Sequence, residues 1–523
     1  MKTKYLSAFL IALLISISGC DKGFEELNVN PLAYNTLDPS FLFAGVQSNF
    51  AGDTWHYEAN IVQQIILIIS GQEAAGNHNI HKNDFSSAPW SRNYGILKQV
   101  MDILKMLEGN TTRSNLYNMA KILKVWSYMN LVDNYGDVPF TEALQGYYTA
   151  NFFPKYDKQA DIYAAIETEL IEAIDGLDAA KAIEKNDMYY DGNIAKWKKF
   201  GNSLLLRLGM RYSKLNPTKA QTLVQRAVDP AKGGLILTNA DNVVVPFNST
   251  QNNPVTGFCR NSTRQNWHAG RPLVDFLKNN NDPRTPYMIC HYSSPTTTSG
   301  GTRNTTVSVQ LGAPVGYDPT SITSDPLYPG TYASNVWKYS FINRQTIGKV
   351  DGLAFLMTAA QTNLLLAEAT ARGWISTGTT AQQYYENAIT QAMTQPCMFS
   401  ETRAGASPIT SGQITTYLAE PNIAYKSSGT LAEQLEQINT QYWLACFTMW
   451  DEAWNNFRRS GYPALARNNY PGADPVILNS SDGFIRRLKY PDSEYNYNKA
   501  NVEAAATSIG GDNMATRVFW DKQ

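Results

Sequence analysis

Hydrophobic residues recur with helical spacing over several long stretches of the chain. Within 161–177 the apolar positions stand three or four apart, so they fall on one face of an α-helix; they are Ile162, Ile166, Leu170, Ile174 and Leu177. The same spacing recurs in 90–107, 115–132, 194–212, 353–372, 381–393 and 431–457. No convincing run of alternating apolar and polar residues appears. The pattern therefore predicts a mainly α fold.

Most of these helices follow one another as pairs. The predicted pairs are 90–108 with 115–133, 159–178 with 194–213, and 355–372 with 381–395. The last pair reads LLLAEA and then YYENAI, a mixture of small and aromatic residues that is typical of tetratricopeptide helices. A single pair cannot bury its own apolar face, so we expect the pairs to stack into a rigid scaffold. The apolar run 61–69 is too short to span a bilayer and is predicted to be a buried helix.

Residues 241–345 differ from the helical stretches in composition. They are rich in Asn, Thr, Ser, Gly and Pro, with Asn-Pro, Gly-Gly and Asp-Pro turn signals. Aromatic residues scattered through the segment argue against disorder. Ordered loops on a rigid frame are where binding residues concentrate, so we expect this loop-rich excursion to carry the ligand surface.

The chain begins with a pattern typical of export. Lys2 and Lys4 precede an apolar run over 6–17, which ends in ISGC at 17–20. This end resembles the lipobox of bacterial lipoproteins, with Ile where Leu is usual. We expect residues 1–19 to be a signal peptide, and Cys20 to carry acyl chains of the palmitate type that anchor the protein in a membrane. The acidic leader 21–26 resembles an export signal to the outer face of the outer membrane. An ordinary secretory signal is the alternative.

Composition narrows the ligand class. Lys plus Arg number 44 against 45 Asp plus Glu, so no basic field favours nucleic acid. Charged residues are 17% of the chain while Tyr number 30 and Trp 11, a balance that suits neutral ligands unless most of these rings are core. No CxxC motif is present, and the thiols beyond Cys20 allow three full disulfide pairings; they are Cys259, Cys290, Cys397 and Cys446.

Several short motifs resemble the SusD/RagB family of outer-membrane nutrient-binding lipoproteins, and more closely its SusD-like second branch. They are NVNP (28–31), LVDNYGDVPF (131–140), NDPR (281–284), NFRRSGYP (456–463), RRLKYP (486–491) and RVFWD (517–521). The resemblance implies one mostly α domain over 20–523 with four tetratricopeptide-like helix pairs. It also implies a non-enzymatic receptor without a cofactor. Such a receptor would present its nutrient to a SusC-like TonB-dependent transporter barrel.

A glycan is the expected ligand, because a pyranose ring stacks on aromatic side chains while its hydroxyls need fixed hydrogen-bond partners. Two clusters offer both features: Trp55-His56-Tyr57 with Asn77, His78 and Trp90, and the loop RQNWH at 264–268. The candidate contacts are Trp55, Tyr57, Trp90, Arg264, Asn266 and Trp267. The alternative is that these rings pin surface loops from within the core.

No catalytic constellation stands out in the sequence. His78 and His81 could share a helical face but lack further metal ligands. Asp451 and Glu452 are neighbours on a helix, so they point apart and cannot flank one glycosidic bond. A peptide receptor of the same type is the main alternative, followed by a surface glycoside hydrolase and a structural adaptor.

Overall fold

The computed structural model describes residues 37–52, 56–69, 74–254, 267–295, 301–332, 336–396, 398–399 and 406–523. Cys20 and the leader lie outside these residues. In the first half, the helices are α1 (Pro39–Phe50), α2 (His56–Ile61), α3 (Ala75–His78), α4 (Asn83–Met106), α5 (Ser114–Tyr135), α6 (Gly146–Thr149), α7 (Gln159–Asp175), α8 (Ile194–Arg211) and α9 (Pro217–Val228). The remaining helices are α10 (Arg271–Asn279), α11 (Thr285–Met288), α12 (Ala359–Ala371), α13 (Ala381–Met393), α14 (Ser411–Leu418), α15 (Leu431–Ala445), α16 (Trp450–Ser460), α17 (Pro475–Leu478), α18 (Asp492–Tyr497) and α19 (Lys499–Ser508).

The strands are short. They are β1 (Ile65–Leu67), β2 (Val138–Pro139), β3 (Tyr156–Asp157), β4 (Val243–Val245), β5 (Trp267–Ala269), β6 (Ile289–Tyr292), β7 (Arg303–Asn304), β8 (Phe341–Ile342) and β9 (Ala354–Met357). Five of them form an antiparallel sheet in the order β1-β5-β8-β6-β7. β2 pairs with β3, and β4 pairs with β9. The fold is mainly α, as the hydrophobic pattern predicts.

The predicted helix pairs are confirmed. They correspond to α4 with α5, α7 with α8, and α12 with α13. Capping boxes start α12, α13 and α15, where the threonines at 358, 380 and 430 exchange hydrogen bonds with the residue three positions on. The prediction of one continuous helix over 431–457 is wrong. The chain breaks after Ala445 because Thr448 takes a left-handed backbone, with φ of 75°, and α15 and α16 then form a fourth pair.

Buried ion pairs tie the helix pairs together. Arg211 on α8 donates from Nε to Asp133 Oδ2 of α5 at 3.1 Å and from Nη2 to Glu452 Oε2 of α16 at 2.6 Å. Arg459 on α16 forms a two-point pair with Glu368 of α12, at 2.8 and 2.7 Å. All five side chains are buried. Removing one partner would leave an uncompensated charge in the core, so each contact fixes how neighbouring pairs stack.

The apolar run 61–69 is not a helix. α2 ends at Ile61, and Gln63 has a φ of 56°, which turns the chain into β1. β1 then pairs antiparallel with β5, with Ile65 opposite Ala269 and Leu67 opposite Trp267. A continuous apolar run is compatible with either a buried helix or a strand buried on both faces, and here the strand forms.

The segment 241–345 is less irregular than its composition suggests. Its described part contains β4 to β8 together with α10 and α11. The sequence pattern does not reveal these strands because each is only two to four residues long. Cys290 and Cys446 are buried free thiols, whereas Cys259 and Cys397 lie outside the described residues. Among the helices that the structure describes, none has the length and apolar character needed to cross a membrane.

Candidate ligand-binding cleft

A cleft of about 700 Å³ opens at the end of the β1–β5 pair. Three segments line it: the first turn of α10, the loop 314–324, and the loop 464–471, while Gln63 contributes from β1's side. The volume falls within the range of ~300–1,000 Å³ typical of small-molecule sites. We refer to this space as the cleft.

The base of the cleft is held by close main-chain contact. A Cβ atom on Gly270 would lie 1.9 Å from the carbonyl oxygen of Gln63, and one on Gly312 would lie 2.3 Å from Arg271 Cα. Only glycine allows these approaches. Gln63 Nε2 donates to Ala466 O at 2.5 Å, whereas its buried Oε1 accepts from no residue that the structure describes. The base therefore holds an unused hydrogen-bond acceptor.

Asn77 fixes the loop 314–324 to α3 and β1. Its Nδ2 donates to Leu67 O at 2.9 Å and Tyr317 O at 3.1 Å, and its Oδ1 accepts from Gly316 N at 2.8 Å. His78 Nε2 lies 3.0 Å from the same Tyr317 carbonyl. These contacts position the half-buried Tyr317, the aromatic residue that lines the cleft.

Tyr470 joins the loop 464–471 to α3 by ring stacking and to the loop 314–324 by a hydrogen bond. The His78 and Tyr470 rings lie 4.1 Å apart at 15°, and the Tyr470 hydroxyl donates to Asp318 Oδ2 at 3.1 Å. Burial lowers the pKa of His78, although its bond to Tyr317 O and the Asp318 charge oppose the shift. Burial alone would raise the pKa of Asp318, but hydrogen bonds from Thr320 and Ser321 bring it well below its usual value. His78 is therefore neutral, and Asp318 ionised, at neutral pH.

The two arginines at the cleft have their donors occupied, and Arg271 is also in an ion pair. Arg271 forms a two-point ion pair with Asp325, at 3.1 and 2.6 Å, and the Tyr339 hydroxyl also donates to Asp325 at 2.5 Å. Burial would raise the pKa of Asp325, but these two donors lower it. Arg467 donates to the carbonyl oxygens of Leu478 and Ser480. The charge of Arg271 is therefore neutralised by Asp325, whereas Arg467 has its donors occupied by uncharged oxygens.

Three of the six predicted ligand residues are in the described part of the chain, and all three are buried. Tyr57, Trp90 and Trp267 are 2%, 6% and 3% exposed. Tyr57 donates to Ile80 O, and Trp90 packs edge-on against Tyr135. Their rings therefore lie in the core of this structure, in line with the alternative stated above. Contact with a ligand stays a prediction for them, and for Trp55, Arg264 and Asn266, which lie outside the described residues.

The sequence points to part of the cleft. Asn77 and His78, named beside the first predicted cluster, do lie against Tyr317. Arg271 and Arg467 were not predicted, because they come from segments some two hundred residues apart and no local motif links them. One feature of the sequence could have pointed to the cleft: Tyr317 is an aromatic residue among turn-forming residues of the loop-rich segment.

The features weighed for catalysis are separated or occupied. α3 ends at His78, and Asn79 takes a left-handed backbone, so His78 and His81 do not share a helical face. Glu452 is bound by Arg211, and among the residues described here no three potential metal ligands come together. Arg459 is held in its ion pair with Glu368, whereas Arg458 lies 3.7 Å from the centre of the Trp454 ring and donates to Arg486 O.

Comparison with known proteins identifies the family. The model of the SusD-like_2 family, described as "Starch-binding associating with outer membrane", matches residues 31–491. The chain belongs to the SusD-like family. This confirms the resemblance carried by the sequence motifs. The comparison with curated proteins found no match.

Solved structures of SusD-like proteins share the fold. A protein named "Bacteroidetes AC2a SusD-like" is 25% identical with a TM-score of 0.78, over 93% of this chain and 100% of that one. A chitin-binding protein is 28% identical with a TM-score of 0.75, over the same shares. A SusD homologue from Bacteroides uniformis is 26% identical with a TM-score of 0.72, over 92% of this chain and all of that one.

Proposed function

We propose that this SusD-like protein is a lipid-anchored receptor on the outer face of the outer membrane that binds a carbohydrate without transforming it. Cys20 carries the anchor, and a SusC-like TonB-dependent transporter receives the bound glycan. The family description and the chitin-binding neighbour support the ligand class. The lipobox-like ISGC supports the anchor.

The cleft is the observation that carries the proposal. Tyr317 offers a ring face, and the neighbouring lining offers hydroxyl and amide groups from Ser321, Ser324 and Asn469. Sugars are bound through this combination of an apolar face and fixed polar partners. Because Arg271 is already paired with Asp325, a neutral sugar encounters no uncompensated cation in that wall.

Calorimetry with chitin and starch oligosaccharides, and with short peptides, tests the proposal. Replacing the ring in Tyr317→Ala should weaken glycan binding by about 5-fold or more, since burying about 40 Å² of apolar surface between a sugar face and the ring is worth about 1 kcal/mol. Tyr328→Ala is the matched control, because Tyr328 packs in the same small apolar cluster but does not line the cleft.

Each result has a distinct meaning. Equal loss in both variants would show that the cluster is needed for folding and that Tyr317 has no special part in binding. Silence toward every glycan, with clear peptide binding, would replace the carbohydrate by a peptide while keeping the receptor role. Steady release of shortened glycan during incubation would instead make the protein an enzyme.

A further inference from the structure

A second pocket of about 490 Å³ lies directly beside the cleft. We call it the side pocket. It is lined by α10, α15, the loop 463–465, the segment 422–426 and Tyr385 of α13. It shares three lining residues with the cleft: Pro272, Asp275 and Ala464. Its volume is again within the range of ~300–1,000 Å³ that suits a small ligand. Two pockets of that size therefore meet along one common edge.

The common edge is mostly exposed and formed by short side chains. Asp275 and Ala464 are exposed and Pro272 is half-buried, and none of the three carries a long or aromatic side chain. A ligand can therefore pass from one pocket to the other without displacing a bulky group. The edge is also anchored, because Pro272 and Asp275 belong to α10, which starts at the Gly270 contact with Gln63.

The side pocket has polar groups with unused hydrogen-bonding capacity. The carboxylate of Asp275 accepts no hydrogen bond from any described residue and forms no ion pair with one. The side chains of Asn279, Glu436 and Thr440 likewise form no hydrogen bond within the described part of the chain. By contrast, the side-chain amide of Gln437 already donates to Asn422 O and Ala424 O. The unused set offers acceptors and donors that match sugar hydroxyls.

We propose that one glycan chain lies across the edge of Pro272, Asp275 and Ala464 and occupies the cleft and the side pocket together. This inference rests on the proposed carbohydrate binding at the cleft and adds its preferred substrate: an oligosaccharide long enough to reach both pockets. Asp275, standing at the crossing point, accepts hydrogen bonds from hydroxyls of the unit that bridges them.

A length series of oligosaccharides tests the inference on the full-length mature protein. Calorimetry is run with chitin and starch oligosaccharides, from the disaccharide to the hexasaccharide. Affinity should rise at least about tenfold once the chain reaches the side pocket, which corresponds to about 1.4 kcal/mol. An affinity that does not change from the disaccharide to the hexasaccharide would overturn the inference.

Three substitutions at exposed positions locate the gain. Glu436→Arg fills the side pocket alone and should reduce the affinity for long chains to that for short ones, leaving short chains unaffected. Ser324→Arg narrows the cleft alone and should weaken binding of both. Ala464→Trp blocks the edge and should abolish the gain in affinity of long chains over short ones; because Ala464 also lines the cleft, the affinity for short chains should fall as well. Unfolding temperatures near that of the wild type verify that each variant is folded.

The outcomes separate this inference from the proposed function. Long chains that bind Glu436→Arg and Ala464→Trp as tightly as the wild type would overturn the two-pocket site while glycan binding stands. Failure of every oligosaccharide to bind the wild type would overturn both. Loss of the length effect in both variants, with short-chain binding retained in Glu436→Arg, supports the site as proposed.

Discussion

Asn77 offers the sharpest link between the stability of the cleft and its function. Its side chain makes three hydrogen bonds, to Leu67 O, Tyr317 O and Gly316 N, and it is fully buried. At about 0.5–1.5 kcal/mol net for each bond, Asn77→Ala should lower the free energy of unfolding by about 2–4 kcal/mol. An unfolding entropy of about 2.1 cal/mol/K per residue gives about 1 kcal/mol/K for a chain of this length. The midpoint should therefore fall by about 2–4 °C.

The measurement is thermal unfolding followed by circular dichroism, with glycan affinity measured in parallel. Affinity should fall because the loop that carries Tyr317 loses its attachment. Asn77→Asp keeps the acceptor for Gly316 N but turns an oxygen toward two carbonyl oxygens. At neutral pH it should therefore be less stable than Asn77→Ala. The difference should shrink near pH 4, where the carboxyl group can donate again.

Asn479→Ala is the matched control, because Asn479 is exposed and its side chain bonds to no residue in the described ranges. It should leave both the midpoint and the affinity unchanged. If Asn77→Ala unfolds within about half a degree of the wild type and binds glycan equally well, the three bonds do not hold the loop. The reasoning that joins α3 to the cleft would then be refuted.

Three further predictions concern the core and the anchor. Glu368→Gln should destabilise the protein by about 3–5 kcal/mol in denaturant unfolding, because Arg459 would be left buried without its partner. Burial raises the pKa of Glu58 to about 7 from 4.5, so the folded state holds this proton more tightly than the unfolded one. Glu58 should therefore destabilise the wild type increasingly as pH rises from about 4.5 to 7, and Glu58→Gln should lack this contribution. The variant should gain about 3 kcal/mol relative to the wild type across that window, and parallel pH dependences would contradict this. Cys20→Ala should bind glycan in solution but fail to support its uptake, as followed with a labelled oligosaccharide; normal uptake would remove the anchor from the mechanism.

The helical scaffold was predictable because its signal is periodic and long. The helices of the three predicted pairs have 13 residues or more, which is at least about three and a half turns, so an apolar face repeats often enough to be recognised. The break at Thr448 was not predictable, since the residues on both sides favour helix and a backbone turn decides the outcome. The same holds for 61–69, where the left-handed Gln63 converts an apolar run into a strand.

The candidate site was less accessible to sequence reasoning. Aromatic residues attract attention as binding groups, yet Tyr57, Trp90 and Trp267 contribute their large apolar surface to the core. The cleft instead depends on contacts between distant segments, such as Gln63 with Ala466 and Asn77 with Tyr317. Only the folded chain brings these residues together.

The main-chain contact of Gly270 with Gln63 has a consequence for redesign. Since this junction involves backbone atoms, it does not depend on which side chains stand in the loops 314–324 and 464–471. The sequences of those two loops can therefore change while the Gly270–Gln63 junction stays the same. Grafting them from a relative with another sugar preference should alter selectivity while leaving the base intact, whereas any side chain at 270 would spoil every such graft.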